Sequence, residues 1–222
     1  MKRATRYFQW QFQLANAELG GRVLEIGCGL GNFTRLLADR ELVIAIDTER
    51  AVIECLNQRL VGQKNLVACQ MDALDDSFPM LARYQPDSIA CLNVLEHISD
   101  DHRALEHMNA VLPSGGKVVL IVPAFEGLYG PIDAKLGHFR RYSKEGLRQL
   151  CQRTGFLPRK LRYMNVLGLL GWWFNARVSR RTAQSEAQIA FFDRFIVPVQ
   201  SRLEALLAPP CGQSIFVVLE KA

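Results

Sequence analysis

The sequence has few of the residues from which covalent or metal-linked frameworks are built. Its 222 residues include six cysteines and four histidines, and the cysteines are scattered, without a C-x-x-C pair or a histidine at ligand spacing. This scatter argues against a disulfide frame and against a zinc site, and it is typical of small buried cysteines in a reducing compartment. We therefore predict a cytoplasmic protein that works without a metal.

Long apolar runs are also missing. No stretch reaches the length of a membrane span. The first three residues lead into aromatic residues interleaved with glutamines, without the apolar core of a signal peptide. Apolar residues make up 49% and charged residues 22% of the chain, as in ordinary soluble domains. A chain of this length can bury a substantial core, so we expect a single domain.

Charge is unevenly distributed along the chain. The net charge is +5, and no acidic residue interrupts the basic residues between positions 159 and 181. Such a segment is either a solvated face or a surface for an anionic partner, namely an acidic substrate, a phospholipid surface or RNA. No RNA-binding signature accompanies it, so no nucleic-acid partner is expected. The basic residues concerned are Arg159, Lys160, Arg162, Arg177, Arg180 and Arg181.

Short apolar runs alternate with helical patterns, which is typical of a mainly parallel sheet covered by helices on both faces. Asp100, Asp101 and Ser143 are suited to cap the starts of helices. The predicted strands are 22–26, 42–46, 66–69, 88–92, 117–122, 158–165 and 215–219, and the predicted helices are 32–38, 49–60, 100–111 and 144–154.

Two segments lie outside this alternation. Residues 1–20 have the pattern of an amphipathic helix that packs against the domain. Residues 166–208 form an expected helical insertion, with Trp172, Trp173 and Phe174 near its start. These aromatic residues either pack under a lid or form an apolar substrate wall or a membrane-surface contact. The sequence leaves these alternatives open.

A glycine-rich turn follows the first predicted strand. It reads Glu25-Ile26-Gly27-Cys28-Gly29-Leu30-Gly31-Asn32-Phe33, so three alternate glycines stand between a strand and a helical pattern. Glycine adopts backbone conformations closed to other residues and lets a ligand approach the main chain. At this position of a doubly wound sheet, the pattern predicts a nucleotide-sized ligand.

The glycine spacing distinguishes between possible nucleotides. A dinucleotide fingerprint needs a small residue where this chain has Asn32, and here the third glycine comes one residue early. The pattern is E-x-G-x-G-x-G, which resembles motif I of class I S-adenosylmethionine-dependent methyltransferases. Two further segments, 93–98 (NVLEHI) and 112–116 (LPSGG), are similar to motifs of the type 11/type 12 group. The segment 137–143 (GHFRRYS) resembles a narrower bacterial subgroup.

This resemblance implies S-adenosylmethionine as the cofactor. The carboxylate of Asp47, at the end of the second strand, would accept hydrogen bonds from the ribose diol, with helix capping as its alternative role. Asp72 would accept the adenine amino group, with a surface turn as the alternative, and Asn93 would lie over the methionine end. The implied cofactor-binding residues are Glu25, Gly27, Cys28, Gly29, Gly31, Asn32, Asp47, Thr48, Asp72, Ala73, Asn93 and Val94.

Methyl transfer needs a base only when the nucleophile arrives protonated. His138 is the first candidate base, because a neutral imidazole is available near pH 7, and His97 is the second. A histidine that only bonds the backbone is the alternative for His138. Arg140 and Arg141 would instead clamp a carboxylate or a phosphate, and a carboxylate acceptor needs positioning and no deprotonation. Tyr142 would line the acceptor pocket or pack.

The sequence therefore predicts an α/β protein with a doubly wound, mainly parallel, seven-stranded sheet whose last strand is antiparallel. The expected activity is O-methylation of a hydroxyl or carboxylate on a small-molecule or peptide acceptor, by a monomer or homodimer. One alternative is methylation of a lipid or lipid-linked glycan, with peripheral contact to a membrane. The other is a module that binds the cofactor without catalysis.

Overall fold

The strands and helices alternate along the chain. The computed structural model describes residues 5–173 and 186–222. Its strands are β1 (Arg22–Ile26), β2 (Leu42–Asp47), β3 (Leu66–Gln70), β4 (Ser88–Leu92), β5 (Lys117–Pro123), β6 (Phe156–Met164) and β7 (Ser214–Lys221). Its α-helices are α1 (Thr5–Ala15), α2 (Arg50–Arg59), α3 (Asp101–Val111), α4 (Pro131–Leu136), α5 (Lys144–Arg153), α6 (Val166–Trp173), α7 (Glu186–Phe191) and α8 (Val197–Leu206).

All of these strands belong to one sheet, in the order β3-β2-β1-β4-β5-β7-β6. Strands β1 to β5 pair in parallel, and β7 runs antiparallel to both β5 and β6. The register places Glu25 of β1 beside Ala45 of β2 and Ala90 of β4. The predicted seven-stranded sheet with an antiparallel last strand is confirmed. Its order reverses between β1 and β4, which is where such sheets bind ligands.

Helices cover both faces of the sheet, because alternate side chains of a strand point to opposite faces. On one face, Leu24 belongs to a buried cluster with Met108 of α3. On the other face, Val23 belongs to a cluster with Trp10 of α1. The predicted N-terminal helix is therefore α1, and it packs on this second face.

Two predicted caps and one predicted helix can be compared directly with the structure. The side chain of Asp100 accepts a hydrogen bond from the backbone nitrogen of Arg103, and that of Ser143 accepts one from Gly146, so both caps are confirmed. The helix predicted at 32–38 is wrong in length, because the structure has only a 3₁₀ turn, Thr34–Leu37. The next strand begins soon after this turn and leaves no room for a longer helix.

The described part of segment 166–208 is helical, as predicted. A π-helix, Phe192–Ile196, joins α7 to α8. Trp172 is buried, whereas Trp173 is 50% exposed. Phe174, Arg177, Arg180 and Arg181 lie outside the described residues. That the whole chain is a single domain stays a prediction.

Candidate functional site

The glycine-rich turn after β1 leaves space for a ligand against the main chain. Gly27 and Gly31 have φ angles of +74° and +75°, in the left-handed region that favours glycine. A Cβ atom on Gly27 would lie 2.4 Å from Cγ2 of Val94. At Gly29, by contrast, no heavy atom lies within 4 Å of the corresponding position. The main chain at Gly29 therefore faces open space.

A cavity of about 250 Å³ lies at this turn, at the carboxyl ends of β1 and β4. Helix α1 contributes Tyr7, Phe8 and Gln11 to its wall. The sequence did not point to these three residues, because they belong to an aromatic helix well before the glycine motif. Seven of the residues predicted to bind cofactor line the cavity, namely Glu25, Gly27, Cys28, Gly29, Asn32, Asn93 and Val94.

Two buried polar side chains in this wall have unsatisfied atoms. One carboxylate oxygen of Glu25 and both amide heteroatoms of Gln11 make no hydrogen bond within the described ranges. Glu25 is 4% exposed and Gln11 is 1% exposed. Burial raises the pKa of Glu25 to about 8, because desolvation disfavours the charged carboxylate. Native proteins rarely leave such atoms unpaired, so both side chains are suited to meet polar groups of a ligand.

Asp47 supports the glycine turn from the end of β2. One of its carboxylate oxygens accepts a hydrogen bond from the backbone nitrogen of Gly29 at 2.9 Å, and the other accepts one from Glu49 at 3.1 Å. The same side chain therefore holds the turn and the start of α2. Its predicted contact with a ribose stays a prediction.

The other predicted residues of the adenosine end are engaged in local contacts. Asp72 accepts a hydrogen bond from the backbone nitrogen of Leu74 at 2.9 Å, which makes it a turn residue after β3. The carbonyl of Thr48 accepts a hydrogen bond from a side chain of β3, and Ala73 is buried. A Cβ atom on Gly31 would lie 2.4 Å from Leu56, so this glycine serves the packing of α2.

Asn93 ends β4 in a strained backbone conformation. Its φ angle is +56°, and its backbone nitrogen donates a hydrogen bond to the carbonyl of Ile121 at 2.7 Å. A residue other than glycine occupies the left-handed region only where the surrounding structure enforces it, and such residues concentrate at functional sites. Asn93 and the following Val94 both line the cavity.

His138 lies in a buried network close to this strand end. Its Nδ1 atom is 2.9 Å from Oδ1 of Asp133, and Nε of Arg141 donates to the same oxygen at 2.8 Å. Burial acts to raise the pKa of Asp133, but the hydrogen bonds from His138 and Arg141 outweigh it and lower the pKa. An ionised carboxylate only accepts hydrogen bonds, so Nδ1 of His138 donates in this pair, which leaves Nε2 as the ring nitrogen outside it.

His97 contacts His138 from the 3₁₀ turn Leu95–His97. The two imidazole rings are edge to face, with their centroids 4.6 Å apart. Burial lowers the pKa of His97, and the neighbouring His138 lowers it further. Burial also raises the pKa of Glu96 to about 8. Ligand atoms of Glu96, His97 and His138 lie within 4.8 Å of one another, so metal independence stays a prediction.

Both arginines of the GHFRRYS segment are engaged by protein groups. Arg141 is buried, donates to Asp133 and to the carbonyl of Ala124, and stacks 4.4 Å from the ring centroid of Trp172. Arg140 pairs with Asp101 at 2.8 Å. Arg140 and Arg141 both border a shallow cavity of about 470 Å³, which also includes Tyr129, Phe139 and Tyr142.

Tyr142 is buried beside this cavity. Its hydroxyl donates to Asp101 at 3.0 Å and lies 3.3 Å from the carbonyl of Leu95. Its ring packs in the main core cluster. Asp133, which organises His138 and Arg141, was missed from the sequence because its helix, α4, is too short to show a helical period.

The cavity at the glycine turn fits an S-adenosylmethionine molecule on the chemistry of its donors and acceptors. The unpaired carboxylate oxygen of Glu25 suits a cationic amino group, and the unpaired amide of Gln11 suits a carboxylate or an amino group. The open space at Gly29 allows a nucleoside to press against the main chain. The fold and this site together define a class I methyltransferase.

Comparison with known proteins identifies the family. A family model described as a methyltransferase domain matches residues 3–160, so the chain belongs to this methyltransferase family. The prediction of a class I methyltransferase with S-adenosylmethionine as its cofactor is confirmed by this membership. The narrower subgroup suggested by the GHFRRYS segment stays a prediction.

Individual relatives are distant. The chain is 26% identical over 114 residues to a ubiquinone biosynthesis O-methyltransferase of Coxiella burnetii, covering 51% of this chain and 46% of that protein. It thus spans about half the length of the curated relatives it matches. The YcgJ protein of Bacillus subtilis shares the fold with a TM-score of 0.66 at 15% identity, over 96% of this chain and 97% of that one. An S-adenosylmethionine-dependent methyltransferase of Mesorhizobium loti superposes with a TM-score of 0.64 at 14% identity, over 96% and 98%.

Proposed function

We propose that this protein transfers a methyl group to a hydroxyl oxygen of a small organic acceptor, with His138 as the general base. The observation that carries the proposal is the hydrogen bond between Nδ1 of His138 and the buried carboxylate of Asp133. It orients the imidazole and leaves Nε2 free to accept a proton. S-adenosylmethionine, when bound, would supply an electrophilic methyl group on its sulfonium sulfur, which leaves as a neutral thioether.

The surroundings of His138 support this role. Asp133 stabilises the imidazolium that forms when Nε2 takes the hydroxyl proton, and Arg141 holds Asp133 in place. His97, whose pKa is lowered, stays neutral beside it and therefore does not oppose the new positive charge. The protein otherwise contributes alignment of the oxygen with the methyl carbon, which can supply about 7–11 kcal/mol of the barrier.

A hydroxyl acceptor is favoured over a carboxylate, because protein groups already bind the guanidinium groups of Arg140 and Arg141. Arg141 is buried and bound by Asp133, and Arg140 is bound by Asp101 and by the carbonyl of Ser99. Neither guanidinium is free to form a two-pronged clamp on a substrate carboxylate. The Coxiella relative is named as an O-methyltransferase, which also supports transfer to oxygen.

The test compares His138→Ala with the unaltered protein, using a panel of phenols, catechols and carboxylic acids and methyl-labelled S-adenosylmethionine. We expect His138→Ala to lower kcat on the hydroxyl acceptors by about 10²- to 10⁴-fold. Affinity for S-adenosylhomocysteine, measured by calorimetry, should not change. The matched control is His102→Ala, because His102 is a partly exposed histidine on α3, away from both cavities.

Two results would contradict the proposal. One is methyl transfer to carboxylic acids alone, with His138→Ala mild and Arg140→Ala raising KM steeply. The other is normal turnover of phenols by His138→Ala. Absence of transfer to any acceptor, together with normal binding of S-adenosylhomocysteine, would favour a binding module without catalysis.

A further inference from the structure

Exposed apolar side chains are concentrated on the last two helices before β7. Phe191, Phe195, Val199, Leu203 and Leu206 are between 54% and 82% exposed. They recur every three or four residues along α7, the π-helix and α8, so they share one side of this helical segment. We call this side the apolar face.

The opposite side of the same segment is buried and largely polar. Asp193, Val197, Gln200 and Glu204 are at most 7% exposed, and they also recur every three or four residues. A surface helix normally turns its apolar side to the core and its polar side to water. Here the arrangement is reversed, so the apolar face does not serve the packing of residues 5–173 and 186–222.

Two buried carboxylates hold the segment in this orientation. Asp193 accepts hydrogen bonds from the backbone nitrogens of Arg6 and Tyr7, at 3.2 and 2.8 Å. Glu204 accepts hydrogen bonds from the backbone nitrogens of Asn165 and Val166, both at 3.0 Å. The apolar face is therefore presented to the exterior by specific contacts with α1 and with the start of α6.

The exposed charged side chains of the π-helix and α8 are basic. Arg194 lies with its guanidinium 5.4 Å from the ring centroid of Phe195, and Arg202 precedes Leu203. Of the acidic residues on these helices, Asp193 and Glu204 are buried on the opposite side, and Glu186 is exposed at the start of α7. Phenylalanine and leucine flanked by arginine are typical of a helix that lies in the interface of an anionic membrane.

We propose that the apolar face docks onto the surface of a bilayer that contains anionic phospholipid. Its phenylalanine and leucine side chains enter the boundary between headgroups and acyl chains, and Arg194 and Arg202 contact the lipid phosphates. The contact is peripheral, because none of the helices in the described ranges has the length and apolarity needed to cross a membrane. A second copy of this chain fits the face less well, since it would bring arginines of like charge together.

The docking face is connected to the acceptor side of the methyltransferase. Helix α6, whose start is held by Glu204, places the Trp172 ring over the guanidinium of Arg141. Arg141 in turn bonds the carboxylate that orients His138. Membrane docking goes beyond the proposed reaction and does not depend on it, so it is tested without any acceptor.

The experiment is sedimentation of the full chain with phosphatidylcholine vesicles, prepared with and without phosphatidylglycerol. We expect binding to the anionic vesicles that weakens as salt is raised. The double variant Phe195→Ser/Leu203→Ser should lower the partition coefficient about tenfold or more. Arg194→Gln/Arg202→Gln should lower binding to anionic vesicles by a similar factor.

The matched control is Val61→Ser/Met80→Ser, which removes two exposed apolar side chains elsewhere on the surface and should leave binding unchanged. Circular dichroism and affinity for S-adenosylhomocysteine confirm that each variant is folded. The proposal is overturned if the unaltered protein stays in the supernatant with anionic vesicles, or if Phe195→Ser/Leu203→Ser sediments as the unaltered protein does. A dimer in analytical ultracentrifugation that this variant dissociates, without vesicle binding, would instead assign the face to a second copy.

Discussion

Four residues other than glycine in the described ranges have left-handed φ angles; Gln85 precedes β4, and the other three lie at one edge of the sheet. Asn93, Phe125 and Asn165 have φ angles of +56°, +64° and +66°. They follow β4, β5 and β6, which run in the same direction. All three therefore lie at the carboxyl edge, where the cavity and His138 are found. Strain at such positions is a cost that active sites commonly carry.

At Gln11 we expect one substitution to weaken ligand binding without lowering the stability of the fold. Gln11→Leu replaces a buried amide without a partner by an apolar side chain of similar size, so the free energy of unfolding should stay the same or rise. Affinity for S-adenosylhomocysteine should fall about tenfold, because a hydrogen bond to the ligand is lost. Calorimetry and thermal unfolding measure the two effects.

Gln13→Leu is the control, because Gln13 is exposed on the same helix. Unchanged affinity in Gln11→Leu, combined with a lower Tm, would mean that the Gln11 amide serves only the fold.

At the scale of elements, α1 forms a wall of the cavity at the glycine turn, and its start is held by a carboxylate far away in the sequence. Asp193 accepts the backbone hydrogen bonds of Arg6 and Tyr7, at the start of α1. The predicted N-terminal helix and the predicted helical insertion are thus parts of one assembly. The contact explains how residues so far apart in sequence shape the same site.

Asp193→Ala should weaken cofactor binding although Asp193 does not line the cavity. Loss of a helix cap costs about 0.5–2 kcal/mol and should loosen α1, which carries Tyr7, Phe8 and Gln11. We expect a severalfold lower affinity for S-adenosylhomocysteine and faster hydrogen exchange in α1. Glu106→Ala, at an exposed acidic residue of α3, is the control. Normal affinity with fast exchange in α1 would show that the helix is not needed for binding.

At the scale of the whole molecule, two buried carboxyls make stability depend on pH. Burial raises the pKa of both Glu25 and Glu96 to about 8, from an ordinary value of 4.5. Above pH 4.5 the unfolded chain releases these protons, while the folded chain holds them until about pH 8. The contribution of these neutral carboxyls to the free energy of unfolding therefore decreases as the pH rises from 4.5 toward 8.

The free energy of unfolding should fall between pH 6.5 and 8 in the absence of cofactor, by at most about 1.4 kcal/mol per pH unit for each carboxyl. The pKa of His97 is lowered in the folded protein, so below its ordinary value of 6.5 this histidine makes the free energy of unfolding rise with pH. Above pH 6.5 this opposing effect ends, and the window therefore starts there. Urea unfolding at several pH values measures the slope. Glu25→Gln and Glu96→Gln should each flatten it, and Glu106→Gln should not. A slope that stays flat or rises in the unaltered protein would show that these carboxyls ionise freely.

The sequence by itself determined the succession of strands along the chain and the glycine turn, and its resemblance to a methyltransferase motif implied the class of cofactor. These depend on local patterns: apolar periodicity places β1 at Arg22–Ile26 as predicted, and the spacing of Gly27, Gly29 and Gly31 reflects backbone conformations that only a few residues govern. Asp100 and Ser143 were predictable as caps for the same reason, since a cap bonds a backbone nitrogen a few residues away.

The tertiary structure alone decided which side chains meet in the site. Gln11 reaches the cavity because α1 folds over the sheet, and Asp133 bonds both His138 and Arg141 in the interior. Buried contacts with distant segments likewise decide which side of α7 and α8 faces outward. The contacts of Asp193 and Glu204 join residues far apart along the chain, so no local pattern specifies them. Asp133 lies only five residues before His138, but its short helix shows no helical period from which the contact could be predicted.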